Sequence, residues 1–342
     1  MYKGTKKILL FMIIISFLLV SFFPNLVKIS AFYFTQNKNQ EKDSLQYNVT
    51  FDESNSPLAS LDNSPGVNAI RPGGFEVIGQ TLIQQSNNFE VSTIGPGNDI
   101  SSNTFSTLGI NLLIIPCSQE RYTTNELEAI ENWVNSGGYL FVIGDWGHWG
   151  DCFEVIERFG FARKNDILYD TITDESNLAW ISFNESNFID HPILNQISEI
   201  EIYAGDGLID SPLNTQHLIR TDDSDTMVWK DSEEVANNVP ILSVQEINSG
   251  GGKVAYISDS GLFENGIDAN ENGIDNIYEG DNLQLFFNII NWFFDEPFQS
   301  ITGLSSLNFE ILIPSYITVF TLMVIFLYRN ERNKIKRNTI EK

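Results

Sequence analysis

Residues 110–150 read INLLIIPCSQERYTTNELEAIENWVNSGGYLFVIGDWGHWG, and their pattern is strand, helix, strand. Ile110 to Pro116 is an apolar run broken only by Asn111, as expected of a parallel strand buried on both faces. Thr123 with Glu126 three residues on is a capping box. Leu127, Ile130 and Val134 then follow at helical spacing, with Trp133 beside them, and Ser136-Gly137-Gly138 stops the helix. Tyr139 to Ile143 is a second buried strand that turns at Gly144-Asp145. Such a unit implies parallel strands with a right-handed crossover, and ligands bind beyond the carboxyl ends of strands of this kind.

Working outward, Tyr47 to Phe51 reads as a strand, Gly74 to Gln85 as a helix and Phe89 to Ile94 as a strand. After the opening unit, Cys152 to Phe159 reads as a short helix. Phe161 to Asp170, Ala179 to Phe183, Ile200 to Ala204, His217 to Thr221, Thr226 to Trp229 and Pro240 to Glu246 read as strands, several alternating in the antiparallel manner. Ser249 to Gly252 is a turn, Lys253 to Ser258 another buried strand, and Asn282 to Phe294 a helix with Leu283, Phe286, Phe287 and Ile290 inward. The expected fold is a doubly wound, mostly parallel α/β sheet with an added antiparallel portion, flanked by transmembrane helices.

Those flanking helices come from the ends of the chain. Lys3, Lys6 and Lys7 precede twenty uncharged residues, Ile8 to Val27. Ile311 to Tyr328 is an uncharged run of eighteen, followed by Arg329, Arg332, Lys334, Lys336 and Arg337. The positive-inside rule places both basic ends in the cytoplasm and the body between them outside the cell. The expected organisation is a signal peptide or N-terminal anchor at 1–31, a linker at 32–46, an extracytoplasmic domain at 47–296, a linker at 297–308, a transmembrane helix at 309–328 and a basic tail at 329–342. Membrane lipid is then a partner through both ends. Asn48-Val49-Thr50 and Asn184-Glu185-Ser186 are glycosylation sequons that suit this placement. Cys117 and Cys152 follow predicted strand ends and are candidates for a disulfide, or for two thiols.

The formal net charge is −25. Residues 29–328 hold 10 of the 20 Lys and Arg and 43 of the 45 Asp and Glu, a difference of 33 in favour of acid. A body this acidic excludes nucleic acid as a partner and attracts cations.

Asp52, Glu53, Cys117, Asp145, His148 and Asp259 all follow predicted strands, so parallel strands gather them on one rim. Carboxylates, a thiol and an imidazole are acid–base and nucleophilic groups. Each also has a plainer use as a turn or cap residue. Trp146 and Trp149 flank His148, either lining a pocket for sugar or covering the sheet edge. A second candidate is Asp268 to Glu279, which fits the calcium-loop pattern D-x-[DN]-x-[DN]-G-x5-E. Asp268, Asn270, Asn272, the Ile274 carbonyl and Glu279 are its oxygen ligands for a hard cation. Asp275 stands where an apolar residue is usual, and no clear helix precedes the loop.

Ile114-Ile115-Pro116, Thr124 to Ile130, Val134 to Leu140 and Ile143-Gly144-Asp145 together resemble the class I glutamine amidotransferase-like superfamily, in its membrane-anchored, non-catalytic branch. Asp52-Glu53-Ser54, Gly252 to Ser260 and Asn288 to Trp292 fit the same likeness, which covers roughly 47–295. In amidotransferases of this class the second strand of the unit ends in a nucleophile elbow of the form Gly-x-Cys-x-Gly. The matching stretch here is Gly144-Asp145-Trp146-Gly147, so Asp145 stands in the nucleophile's place. Cys117 lies one strand too early, and no catalytic His-Glu pair can be matched. The resemblance therefore implies the fold and argues against amidotransferase activity. The expected function is binding of a ligand, glycan or partner protein at the rim, as an accessory domain of a transport or surface complex. Its rivals are a hydrolase using the rim carboxylates and a calcium-stabilised structural protein.

Overall fold

The computed structural model describes residues 46–295 except 63–66, 70, 72, 86–87, 147–151, 172–178, 224–226 and 248–249. The elements of the sheet and its helices are β1 (Tyr47–Asp52), α1 (Glu76–Gln85), β2 (Phe89–Ile94), α2 (Ser102–Leu108), β3 (Leu112–Pro116), α3 (Thr124–Asn135), β4 (Tyr139–Ile143) and α4 (Phe153–Glu157). Six short strands follow: β5 (Ala162–Arg163), β6 (Leu168–Asp170), β7 (Trp180–Asn184), β8 (Glu199–Tyr203), β9 (Leu208–Asp210) and β10 (Thr215–Arg220). The chain closes with β11 (Met227–Trp229), β12 (Pro240–Ile247), β13 (Gly252–Ile257) and α5 (Asn282–Phe294).

Seven strands form one sheet in the order β10-β12-β13-β4-β3-β1-β2. Leu112 lies opposite Tyr139 and Pro116 opposite Ile143 in parallel register, and Val49 opposite Leu112. Every residue of β3 is buried, which explains its lack of alternation. Successive residues nevertheless serve different faces. Ile114, Phe141, Ile143, Ala255 and Ile257 join Phe51 and the inner faces of α1 and α5. Leu113, Ile115, Leu140, Val142, Val254 and Tyr256 join the core beneath α2, α3 and α4. Burial of each large aliphatic or aromatic side chain contributes about 1.5–3 kcal/mol, so this two-faced core is the main source of stability.

The Thr123–Glu126 capping box forms, with the Glu126 carboxylate accepting from the Thr123 N–H at 2.8 Å. Trp133 stacks on Phe105 and leaves no room at Gly138, where a Cβ would lie 2.3 Å from the indole. At the far end of α5, Lys253 Nζ donates to the carbonyls of Trp292 and Phe293, a cation placed on the helix C-terminus.

The expected layout is corrected in several respects. The sheet is mixed: β12 runs antiparallel to both β13 and β10. Three further antiparallel ribbons pair β11 with β6, β5 with β9 and β7 with β8. The strand expected over 161–170 is two strands, because Asp166 takes the N–H groups of Ile167 and Asp231 and turns the chain between them. The flanking transmembrane helices are not supported. Among the described residues no helix is long and apolar enough to cross a membrane. The runs at 8–27 and 311–328, together with the linkers and the basic tail, lie outside the described residues. Membrane anchoring, lipid as a partner and the extracytoplasmic placement that rested on them are set aside. Of the two sequons, Asn48 is inside β1 with its amide donating to the Leu108 carbonyl.

Candidate functional site

The carboxyl ends of β1, β3, β4 and β13 meet on one edge of the sheet, and their polar side chains are buried there. Asp52, Glu53, Asp145 and Asp259 are 2%, 0%, 7% and 1% exposed, so the rim is an interior cluster rather than an open edge.

At the end of β1, Asp52 Oδ1 accepts from the Ser54 N–H at 3.0 Å and Oδ2 from the Tyr122 hydroxyl at 2.6 Å. Burial raises its pKa. Glu53 Oε1 accepts from the Leu61 N–H at 2.6 Å, while its buried Oε2 has no hydrogen-bond partner among the described residues. Burial, with smaller contributions from Asp62 and Asp52, pushes its pKa up to about 7.

At the end of β3, Cys117 has a left-handed backbone with φ 45°. Its N–H donates to the Ile143 carbonyl at 2.8 Å and its carbonyl accepts from Leu58, which holds this strained conformation in place. Cys117 and Cys152 are not bridged; they are two buried thiols in contact. Burial pushes the Cys117 thiol well up, which keeps it protonated and poorly nucleophilic.

At the end of β4, a Cβ on Gly144 would lie 2.5 Å from the Tyr256 hydroxyl oxygen, so the turn requires glycine there. The Tyr256 hydroxyl donates to Asp206 Oδ1 at 2.8 Å, and Arg163 pairs with Asp206 Oδ2 at 3.0 Å. Arg163 also donates to the Asp145 carbonyl and thereby anchors the turn. Asp145 Oδ1 accepts from the Trp146 N–H at 2.7 Å, and Oδ2 lies 2.8 Å from Ser260 Oγ. Burial raises its pKa to about 7.

At the end of β13, Asp259 accepts from the Gly261 and Tyr203 N–H groups, both at 2.7 Å. Ser260 Oγ also lies 2.9 Å from Glu264 Oε1, and Glu264 Oε2 pairs with Arg71 at 2.9 Å. Sequence reasoning thus found Asp145 and Asp259 but missed Ser260, Glu264, Arg71, Asp206 and Arg163. Arg71 and Arg163 had one signal: they are two of the few cations in an acidic body. Ser260 and Glu264 lie on a turn with no periodicity to mark them. Trp146 is half-buried with Lys230 Nζ 5.8 Å from its ring centroid, and His148 lies outside the described residues.

The acidic loop from Asp268 to Glu279 is held by its own hydrogen bonds. Asp268 accepts from the N–H groups of Asn272 and Gly273, Asn270 Oδ1 from Asn272, and Asn272 Oδ1 from Ile274. Glu279 Oε1 is reached by the side-chain amides of Asn272 at 2.6 Å and Asn270 at 3.3 Å. The first, third, fifth and last positions of the pattern are therefore drawn into one ring. Asp275 faces away and accepts from Gly266. Among the described residues no group of three or more His, Cys, Asp or Glu is placed to hold a metal. The loop's donor set is carboxylate, amide and carbonyl oxygen, which fits calcium rather than zinc.

Two surface cavities lie away from the strand-end cluster. One of about 860 Å³ runs from Glu185 to Ser198, and one of about 440 Å³ lies between β2 and α2.

No family model and no curated protein matches the sequence. Among solved structures, the mmIFT52 N-terminal domain is similar with a TM-score of 0.54 at 17% identity, over 72% of this chain and 96% of that one. A ThuA-like protein from Bacteroides uniformis is similar with a TM-score of 0.44 at 12% identity, over 75% and 94%. A cytoplasmic protein from Salmonella typhimurium LT2 has a TM-score of 0.46 at 14% identity, over 72% and 99%. The first likeness is one of fold alone.

Proposed function

We propose that this is a non-catalytic binding domain of amidotransferase-like fold, acting as an accessory part of a larger assembly. The observation that carries the reading is the state of Asp145. The residue in the nucleophile's place is a buried carboxyl whose two oxygens are engaged by the Trp146 N–H and the Ser260 hydroxyl. Cys117 offers no replacement, since its thiol is buried and held protonated. Asp259 is engaged by two backbone N–H groups. The strand-end groups therefore shape and rigidify a surface on which the half-exposed Arg71 and Trp146 are the outward contacts for a glycan or carboxylate ligand.

The test has two arms. The full chain is assayed for ammonia release from glutamine and for hydrolysis of nitrophenyl esters and glycosides. No turnover is expected, and turnover abolished by Asp145→Asn makes the domain a hydrolase instead. Calorimetric titration with soluble oligosaccharides and dicarboxylates then compares wild type with Arg71→Ala and Trp146→Ala. Loss of binding in these variants supports the rim, and unaltered binding places the ligand elsewhere.

A second reading is favoured by the ring that Glu279 closes with Asn270 and Asn272. In it, Asp268, Asn270, Asn272, the Ile274 carbonyl and Glu279 bind calcium and stabilise the segment leading into α5.

A further inference from the structure

We propose that Asp145, Ser260 and Glu264 share one exchangeable proton, and that this proton fastens the turn after β4 to the turn after β13. The three side chains make two close contacts with too few hydrogens when both carboxyls are ionised. Ser260 Oγ lies 2.8 Å from Asp145 Oδ2 and 2.9 Å from Glu264 Oε1. A serine hydroxyl has one hydrogen to donate, and an ionised carboxylate has none. With both carboxyls ionised, one of the two contacts is oxygen against oxygen with no hydrogen between them, in an interior that screens little. Both contacts become hydrogen bonds when one carboxyl is protonated.

The surroundings decide which one. Glu264 has the Arg71 guanidinium on its other oxygen at 2.9 Å, a charge-assisted contact that the Asp145 carboxyl lacks among the described residues. Among the described residues no cation is hydrogen-bonded to the Asp145 side chain: Arg163 reaches its backbone carbonyl, and Arg71 is paired with Glu264 and acts on Asp145 only as a minor contribution. The proton therefore sits on Asp145 Oδ2. The acid donates to Ser260 Oγ, and Ser260 donates to Glu264 Oε1. Burial of Asp145, which raises its pKa to about 7, points the same way.

The charged and titratable groups facing this chain, among the described residues, are Arg71 beside Glu264, Asp259 on the shared turn, Asp206 with Arg163 from the β5–β9 side, and Cys117 with Cys152 from the end of β3. Most are acidic or neutral, so loss of the proton adds a negative charge where it is poorly compensated. As pH rises through neutrality, Ser260 then holds only one of its partners, and the β4 turn separates from the Ser260–Glu264 turn.

Infrared spectroscopy of the full chain tests it. The carbonyl stretch of a protonated carboxyl is expected in wild type at about pH 6, lost in part in Asp145→Asn and retained in Glu264→Gln. Asparagine keeps the geometry, because its amide donates to Ser260 Oγ as the acid does. The slope of Tm against pH between about 6 and 8 is expected to fall by one proton in Asp145→Asn. Should that variant fail to fold, Ser260→Ala removes the acceptor, and the acid band moves to higher frequency. A band lost from Glu264→Gln but not from Asp145→Asn, a band unmoved in Ser260→Ala, or an unchanged Tm slope overturns the proposal.

Discussion

Arg71 and Glu264 meet at 2.9 Å across the boundary of the interior: the guanidinium-bearing side chain is 45% exposed and the carboxylate is fully buried. Removing either partner is therefore unequal. Arg71→Met leaves a buried carboxylate without its cation, whereas Glu264→Gln leaves a cation that water solvates. Loss of one partner of a fully buried pair costs about 3–5 kcal/mol, and exposure of Arg71 reduces this to about 1–3 kcal/mol for Arg71→Met. Glu264→Gln is expected to cost less. Urea unfolding of the two variants measures the difference, and equal costs show that the pair is not asymmetric in the way described.

Glu53 carries the second prediction. Its folded pKa of about 7 is raised above the ordinary carboxylate value. A raised carboxyl contributes stability that is fully present below its unfolded pKa and lost as pH rises through the folded one. The window is thus from about pH 4 to about pH 7. Glu53→Gln keeps the acceptor for the Leu61 N–H and never ionises. It is expected to exceed wild type by about 1–3 kcal/mol at pH 8 and to match it near pH 4. Denaturant titration at the two pH values checks the sign, and a variant less stable at pH 8 contradicts the assignment.

What could be read from residues alone follows a physical division. The strand–helix–strand unit was legible because Ile114, Ile115, Val142 and Ile143 are buried on both sides and Thr123 with Glu126 caps locally; each signal is contained in a few adjacent residues. Burial of both β12 and β13 hides their alternation, but the short glycine-rich turn between them marks the pair as antiparallel, because a parallel pair needs a long crossover. Asp145 and Asp259 were placed at one rim from strand ends. Their burial, and the link from Asp145 through Ser260 to Glu264 and on to Arg71, depend on contacts up to 193 positions apart in the chain. The terminal apolar runs were read from hydropathy alone, and the described fold contains no spanning helix to support them.

The two thiols give a third prediction. Cys117 and Cys152 are buried at 0% and 1% exposure, so neither is expected to react with a thiol reagent in the folded state, and both react in denaturant. Two equivalents of labelling after unfolding without reductant show that no disulfide exists. No labelling before reduction shows a bridge. Cys117→Ser is expected to cost about 1–3 kcal/mol, because it buries a stronger hydrogen-bonding group in a site built for a thiol.

Calcium is tested by stability. If the loop from Asp268 to Glu279 binds the ion, Tm of the full chain rises with added calcium and returns with chelator. The expected gain is about 2.7 kcal/mol at a concentration one hundred times Kd. Glu279→Gln and Asp268→Ala abolish the gain by removing the two charged ligands. A Tm indifferent to both calcium and chelator removes the second functional reading and leaves the proposed role of the strand-end rim to its own test.

Gly144 links the fold to the site most directly. A Cβ there would lie 2.5 Å from the Tyr256 hydroxyl oxygen and 2.7 Å from a ring carbon. The ring is fully buried and its hydroxyl donates to Asp206, so it has no free direction in which to retreat. Gly144→Ala must displace Tyr256 and with it the Asp206–Arg163 pair that anchors the Asp145 carbonyl. Overpacking of this kind costs about 1–3 kcal/mol, and a strained buried ion pair adds to it. The double variant Gly144→Ala with Tyr256→Phe relieves the contact with the hydroxyl but not with the ring, so it recovers only part of the loss. Full recovery in urea unfolding shows that the hydroxyl alone sets the requirement for glycine, and no loss in the single variant shows that the turn moves freely, contrary to the anchoring described.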